Sequence, residues 1–94
     1  MRVLGPEESQ LKGLWIVKNG RVEKDAVSER IEWLLRTSLR RIATDASGWD
    51  VLYKDVNDGR LWELTYPQSE VHGGGPPALR CLPREEACQK YQLL

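Results

Sequence analysis

The sequence predicts an α+β domain: a small, mostly antiparallel sheet of about four strands, one long helix packed on a face, and a short C-terminal helix. Three observations carry this. Apolar residues recur at steps of three and four from Asp25 to Ala43, the period of an amphipathic helix. Two alternating runs, Trp49 to Lys54 and Arg60 to Tyr66, flank a turn that contains Asp58-Gly59. Pro83, followed by Glu85 and Glu86, marks the start of another helix. At 94 residues the chain makes one domain, residues 1–94, with no internal repeat and no linker.

The elements follow in order. Gly13 to Lys18 holds the apolar run Leu14-Trp15-Ile16-Val17 and is closed by Asn19-Gly20, whose positions suit the positive φ of a type I′ turn. It reads as a strand, with Arg21-Val22-Glu23 pairing back on it. In the helix from Asp25 to Ala43, the stripe is Val27, Ile31, Leu34, Leu35, Leu39 and Ile42, interrupted by the small Ser38. Asp25 suits the N-cap, Glu29 the positive end of the dipole, and Arg40 and Arg41 the negative end. Trp33 lies off the stripe, where it covers a groove or faces solvent.

In the hairpin, Trp49, Val51 and Tyr53 share one face and Asp50, Leu52 and Lys54 the other. Trp62, Leu64 and Tyr66 share a face on the return strand. Pro67 closes that strand because it has no N–H for a ladder. Residues 68–77 are a loop by composition. Ala78 to Leu82 is a further strand, and the last helix runs to about Tyr91. The predicted order is β-α-β-β-β-α.

Composition excludes several function classes. Fourteen basic and fourteen acidic side chains cancel, which removes the broad electrostatic footprint of a general nucleic-acid binder. No run of 18 apolar residues is present, and the N-terminus lacks the apolar stretch of a signal peptide, so a cytoplasmic protein off the membrane is expected. Cys81 and Cys88 are too few for a disulfide framework and read as reduced, partly buried thiols. The neutral total hides an asymmetry: residues 44–75 carry Asp45, Asp50, Asp55, Asp58, Glu63 and Glu70 against Lys54 and Arg60, net −4. Such a stretch is ordinarily a solvated face. The alternative is an acidic docking surface for a basic partner.

Catalytic constellations fail on their missing members. His72-Gly73-Gly74-Gly75 looks like the oxyanion-hole loop of lipases and esterases, but His72 is the sole histidine and no Gly-x-Ser-x-Gly elbow exists. The glycines also lack the Lys-Ser/Thr of a phosphate loop. One His and two Cys do not make a structural zinc set, and Asp55, Asn57 and Gly59 lack the twelfth-position Glu of a calcium loop. No metal, cofactor, small-molecule substrate or enzymatic activity is expected.

The stretch Trp62-Glu63-Leu64-Thr65-Tyr66-Pro67-Gln68-Ser69-Glu70-Val71-His72-Gly73-Gly74-Gly75-Pro76-Pro77 resembles the signature of the immunity protein 27 family of bacterial polymorphic toxin systems. Gly13-Leu14-Trp15-Ile16-Val17, Arg30-Ile31-Glu32-Trp33-Leu34 and the run from Gly48-Trp49 to Asp58-Gly59-Arg60 extend the resemblance over about residues 11–80. The chain departs from the family pattern at Val56, where Pro is common, and at Leu61, where an aromatic is common. The resemblance implies an antitoxin that binds a cognate toxin domain, with Trp62, Tyr66, Pro67, Ser69, His72, Gly73, Gly74, Gly75 and Pro76 as the structural motif. A nuclease-like toxin with a basic cleft would suit the acidic stretch. Asp50, Asp55, Asp58, Glu63 and Glu70, with Tyr66, His72 and Trp33, are the candidate toxin-binding residues. The competing reading is a small peptide-binding scaffold or regulatory adaptor.

Overall fold

The computed structural model describes residues 1–68 and 75–93. Its strands are β1 (Gln10–Lys12), β2 (Trp15–Lys18), β3 (Arg21–Lys24), β4 (Leu39–Thr44), β5 (Val51–Asp55), β6 (Leu61–Thr65) and β7 (Ala78–Leu82). Its helices are α1 (Ala26–Thr37) and α2 (Arg84–Tyr91). The class is α+β, as the sequence predicts. Five strands form an antiparallel sheet in the order β1-β7-β6-β5-β4, while β2 and β3 make a separate two-stranded hairpin.

The helix expected to reach Ala43 stops at Thr37. The Thr37 hydroxyl bonds back to the Trp33 carbonyl at 2.8 Å, and the Ser38 N–H donates to the Leu34 carbonyl at 2.9 Å, which ends the turn. The chain then enters β4, whose backbone pairs with the edge of β5. Leu39 is buried in either geometry, so periodicity could not separate them. Ile42, which a continued helix would bury, sits at the register shift between Arg41 and Ala43 and is exposed. Arg40 and Arg41 therefore belong to an edge strand and not to a helix terminus.

The other differences are smaller. β1 has three residues and one inward apolar side chain, Leu11, too short a run to carry a periodic signal. The Gly13–Lys18 strand forms, but it joins only β3, through Asn19 (φ 53°) and Gly20 (φ 74°). Trp49 lies in the turn before β5 and is exposed, so it does not share the inner face of Val51 and Tyr53. The backbone of that turn is held by Asp45, which accepts from the Gly48 and Asp50 amides.

Both faces of the sheet are covered. Ile31 and Leu34 of α1, with Leu4 and Leu39, pack on Trp62, Leu64 and Leu79. The register places Tyr53 opposite Trp62 and Val51 opposite Leu64, so the alternating face of the hairpin is the core face. On the reverse face, Leu52 and Leu82 pack with Ala87 and Tyr91 of α2. Asp25 caps α1 by accepting from the Ser28 amide at 2.8 Å.

Glu63 points to the α2 side and is 2 % exposed. Its Oε2 accepts from the Tyr91 hydroxyl at 2.7 Å and lies 2.7 Å from Lys90 Nζ, and its Oε1 accepts from Arg80 at 3.1 Å. Burial alone would raise its pKa, but the donors of Lys90, Tyr91 and Arg80 outweigh that and hold it below the ordinary carboxylate value. A second clamp fixes the N-terminal segment. Arg30 on α1 makes a bidentate pair with Glu8 at 2.7 and 2.8 Å, and Arg60 donates to the Glu8 and Gly5 carbonyls at 2.6 and 2.8 Å. The Arg30 guanidinium, then the Gly5 amide, lower the Glu8 pKa to about 2.

Two stability effects are expected. Tyr91→Phe removes one donor from a buried carboxylate and lowers unfolding free energy by about 1–2 kcal/mol in urea denaturation; an unchanged midpoint would contradict the Glu63 assignment. Because the folded pKa of Glu8 lies below its unfolded value, its stabilisation is complete above about pH 4.5 and fades as pH falls toward about 2. Glu8→Gln should cost about 1–2 kcal/mol at pH 7 and nothing near pH 2, as read by denaturation at both values.

Candidate binding surface

Two acidic residues of the middle segment, Asp55 and Glu63, turn inward. Asp55 is fully buried: its Oδ1 accepts from the Asn57 amide at 2.9 Å, and its backbone bonds Arg60 and Gly59 across the turn. Its Oδ2 has no hydrogen-bond partner among the described residues. Glu63 is the buried anchor of α2. Asp50 is held by Lys90 at 2.7 Å, the same ammonium that meets Glu63. Asp58 accepts from the Arg60 amide at 2.9 Å and from its Nε at 2.7 Å. Burial pushes the Asp58 pKa up, and these Arg60 bonds overcome it, leaving it lowered. Asp50 and Asp58 thus remain at the surface, each beside its own cation. Glu70 and His72 lie outside the described residues, as do Ser69, Gly73 and Gly74 of the motif.

Of the described motif residues, Trp62, Gly75 and Pro76 are buried in the fold. Trp62 is wholly buried under α1, with the Arg60 guanidinium 5.0 Å from its ring centroid. Gly75 has φ +75° and lies against the Gln68 carbonyl, where an added Cβ would collide, so the two limbs of the loop cross there. Gly75 and Pro76 are buried, whereas Pro67 is exposed. The Pro77 carbonyl accepts from the Gly13 amide at 2.9 Å, tying this limb to the root of β2. Trp33 is half-buried against the core and Tyr66 half-buried at its margin. Burial, then Tyr53 and Glu32, raise the Tyr66 pKa.

Two features that motif reading did not single out stand beside these residues. A groove of about 200 Å³ is lined by Trp15, Ile31, Leu35, Tyr66, Gly75 and Pro77, and bounded by Lys24 and Glu32, which pair at 2.7 Å. The β2–β3 hairpin forms its lip. Val17 and Val22 are cross-strand partners on the groove face and are 75 % and 63 % exposed. The apolar character of Val17 is visible in the Leu14–Val17 run, which reads as a strand. At the other end of the sheet, Lys54, Gly59, Arg60, Leu61, Leu82 and Arg84 line a second recess of about 390 Å³.

Among the described residues, no cluster of three His, Cys, Asp or Glu side chains could hold a metal ion, and no helix is long and apolar enough to cross a membrane. Both cysteines are free and half-buried. What the geometry offers is surface: an apolar groove with an uncovered strand pair at its lip, built by elements that the signature segment ties together. No curated protein and no solved structure matches the chain. The family model of immunity protein 27 matches residues 17–83, from within β2 to the Pro83 that opens α2. The chain belongs to the immunity protein 27 family.

Proposed function

We propose that the protein is the antitoxin of a polymorphic or contact-dependent toxin system, binding its cognate toxin domain one to one in the cytoplasm of the producing cell. Membership of an immunity protein family is the observation that carries this reading. Inhibition is by occupancy, with no turnover. A stable protein–protein contact covers about 800 Å² on each partner, roughly an eighth of the 6261 Å² surface of this chain. The Trp15–Tyr66 groove and its hairpin lip supply an apolar centre for such a contact.

A nuclease-like effector is the target class proposed from the acidic segment. Its support is narrower than the segment's composition suggests, because Asp55 and Glu63 are buried. Asp50, Asp58 and Glu70 are the carboxylates left to that role, with Tyr66, Trp33 and His72 as proposed neighbours.

Co-expression with the toxin domain encoded by the adjacent gene tests the reading. Growth should be restored, and the two purified chains should co-elute as a one-to-one complex with the toxin chemically intact. Arrest unchanged from that with an empty vector would reject the immunity role. A toxin recovered cleaved or modified would mark the protein as an enzyme.

A further inference from the structure

We propose that the β2–β3 hairpin is the docking arm for the toxin, and that it seats on an apolar patch of the toxin domain rimmed by carboxylates. This rests on the immunity reading and names the chemistry of the surface that would be bound.

The hairpin's two faces differ at the tip. Val17 and Val22 face each other across the strands on the groove side. One step further, Lys18 and Arg21 face each other on the reverse side, next to the Asn19-Gly20 turn. All four are exposed. Like charges directly opposite in an antiparallel pair repel, and exposed apolar pairs gain nothing from water. Neither cation has a carboxylate partner among the described residues. On β3 the acidic residue of that face is Glu23, two residues from Arg21. Among the described residues the hairpin is anchored at its root: the Asp25 amide donates to the Leu14 carbonyl at 3.1 Å, and Lys24 pairs with Glu32 on α1.

Charge selects the occupant. A partner that covers the valine pair with apolar atoms and brings carboxylates to Lys18 and Arg21 relieves both unfavourable features together. A second copy of this chain would bring another basic tip to the same place. A nucleic acid would meet the cations but leave the valines without a partner, and the chain as a whole is neutral. On a nuclease-like toxin, an acidic contact lies beside a basic phosphate-binding cleft and not inside it.

The test measures affinity for the toxin domain of the adjacent gene at low and high salt. Growth rescue by the wild-type protein is recorded first; its absence removes the immunity reading and the proposal together. Lys18→Glu with Arg21→Glu should weaken binding by about tenfold or more at low salt and reduce the salt dependence. Val17→Ser with Val22→Ser should weaken it by about tenfold with the salt dependence kept. Lys54→Glu, on the reverse face of the sheet, should change neither. Thermal unfolding of each variant, expected at the wild-type midpoint because the sites are exposed, separates lost contact from lost fold; the single Lys18→Glu serves where the double variant melts early. Rescue with hairpin variants that bind like wild type overturns the proposal alone. So does tighter binding after charge reversal, which would mean a basic partner. Concentration-dependent dimerisation abolished by the valine substitutions would instead assign the arm to a second copy.

Discussion

The buried carboxylate of Glu63 is the interaction on which the second half of the fold depends. It sits in the central strand β6 and gathers donors from β7 (Arg80) and from α2 (Lys90 and Tyr91). Lys90 carries the network on to Asp50, before β5. α2 places only Ala87 and Tyr91 in the core, so apolar burial alone secures it weakly. Burying one carboxylate is costly, and three donors at hydrogen-bond distance offset that cost while fixing where the helix lies. So held, α2 covers Leu52 and Leu82 on the reverse face of the sheet.

The same logic recurs at the N-terminal end. Glu8 takes the bidentate Arg30, Arg60 reaches two carbonyls of the N-terminal segment, and Asp58 steadies Arg60. Carboxylates that make the middle segment net negative are thereby engaged within the molecule. On the strands, the charges left without a counter-ion among the described residues are mostly basic: Lys12, Lys18, Arg21, Arg40, Arg41 and Lys54, against Glu23 and the buried Asp55. The exposed faces of the strands thus carry more cations than carboxylates without a partner among the described residues.

Much of the architecture was legible because local chemistry and tertiary demand agreed. Asp25 caps α1, Asn19-Gly20 turns the first hairpin, and the alternation of β5 and β6 matches the face under α1. The end of α1 was not legible, since Leu39 satisfies the helical stripe and the strand equally, and only the open edge of β5 decides. The fate of the acidic residues was hidden for a different reason. Asp50 and Lys90 lie 40 residues apart, and Glu63 and Tyr91 lie 28 apart, so a sum over a segment cannot find them. The signature stretch marked the family and pointed to Trp62 and Gly75 as structural, but which surfaces they meet, α1 for Trp62 and the Gln68 carbonyl for Gly75, depends on contacts that sequence spacing does not give.

Asp55 and Glu63 are buried in the fold, and the first hairpin with its groove is the proposed main contact with the toxin. Hydrogen–deuterium exchange of the protein, free and bound to its toxin domain, tests it most directly. New protection of backbone amides is expected over Trp15–Lys24 and around Tyr66, larger than any change in the Asp55–Arg60 turn. Protection confined to that acidic turn, with the hairpin still exchanging as in the free protein, would contradict it.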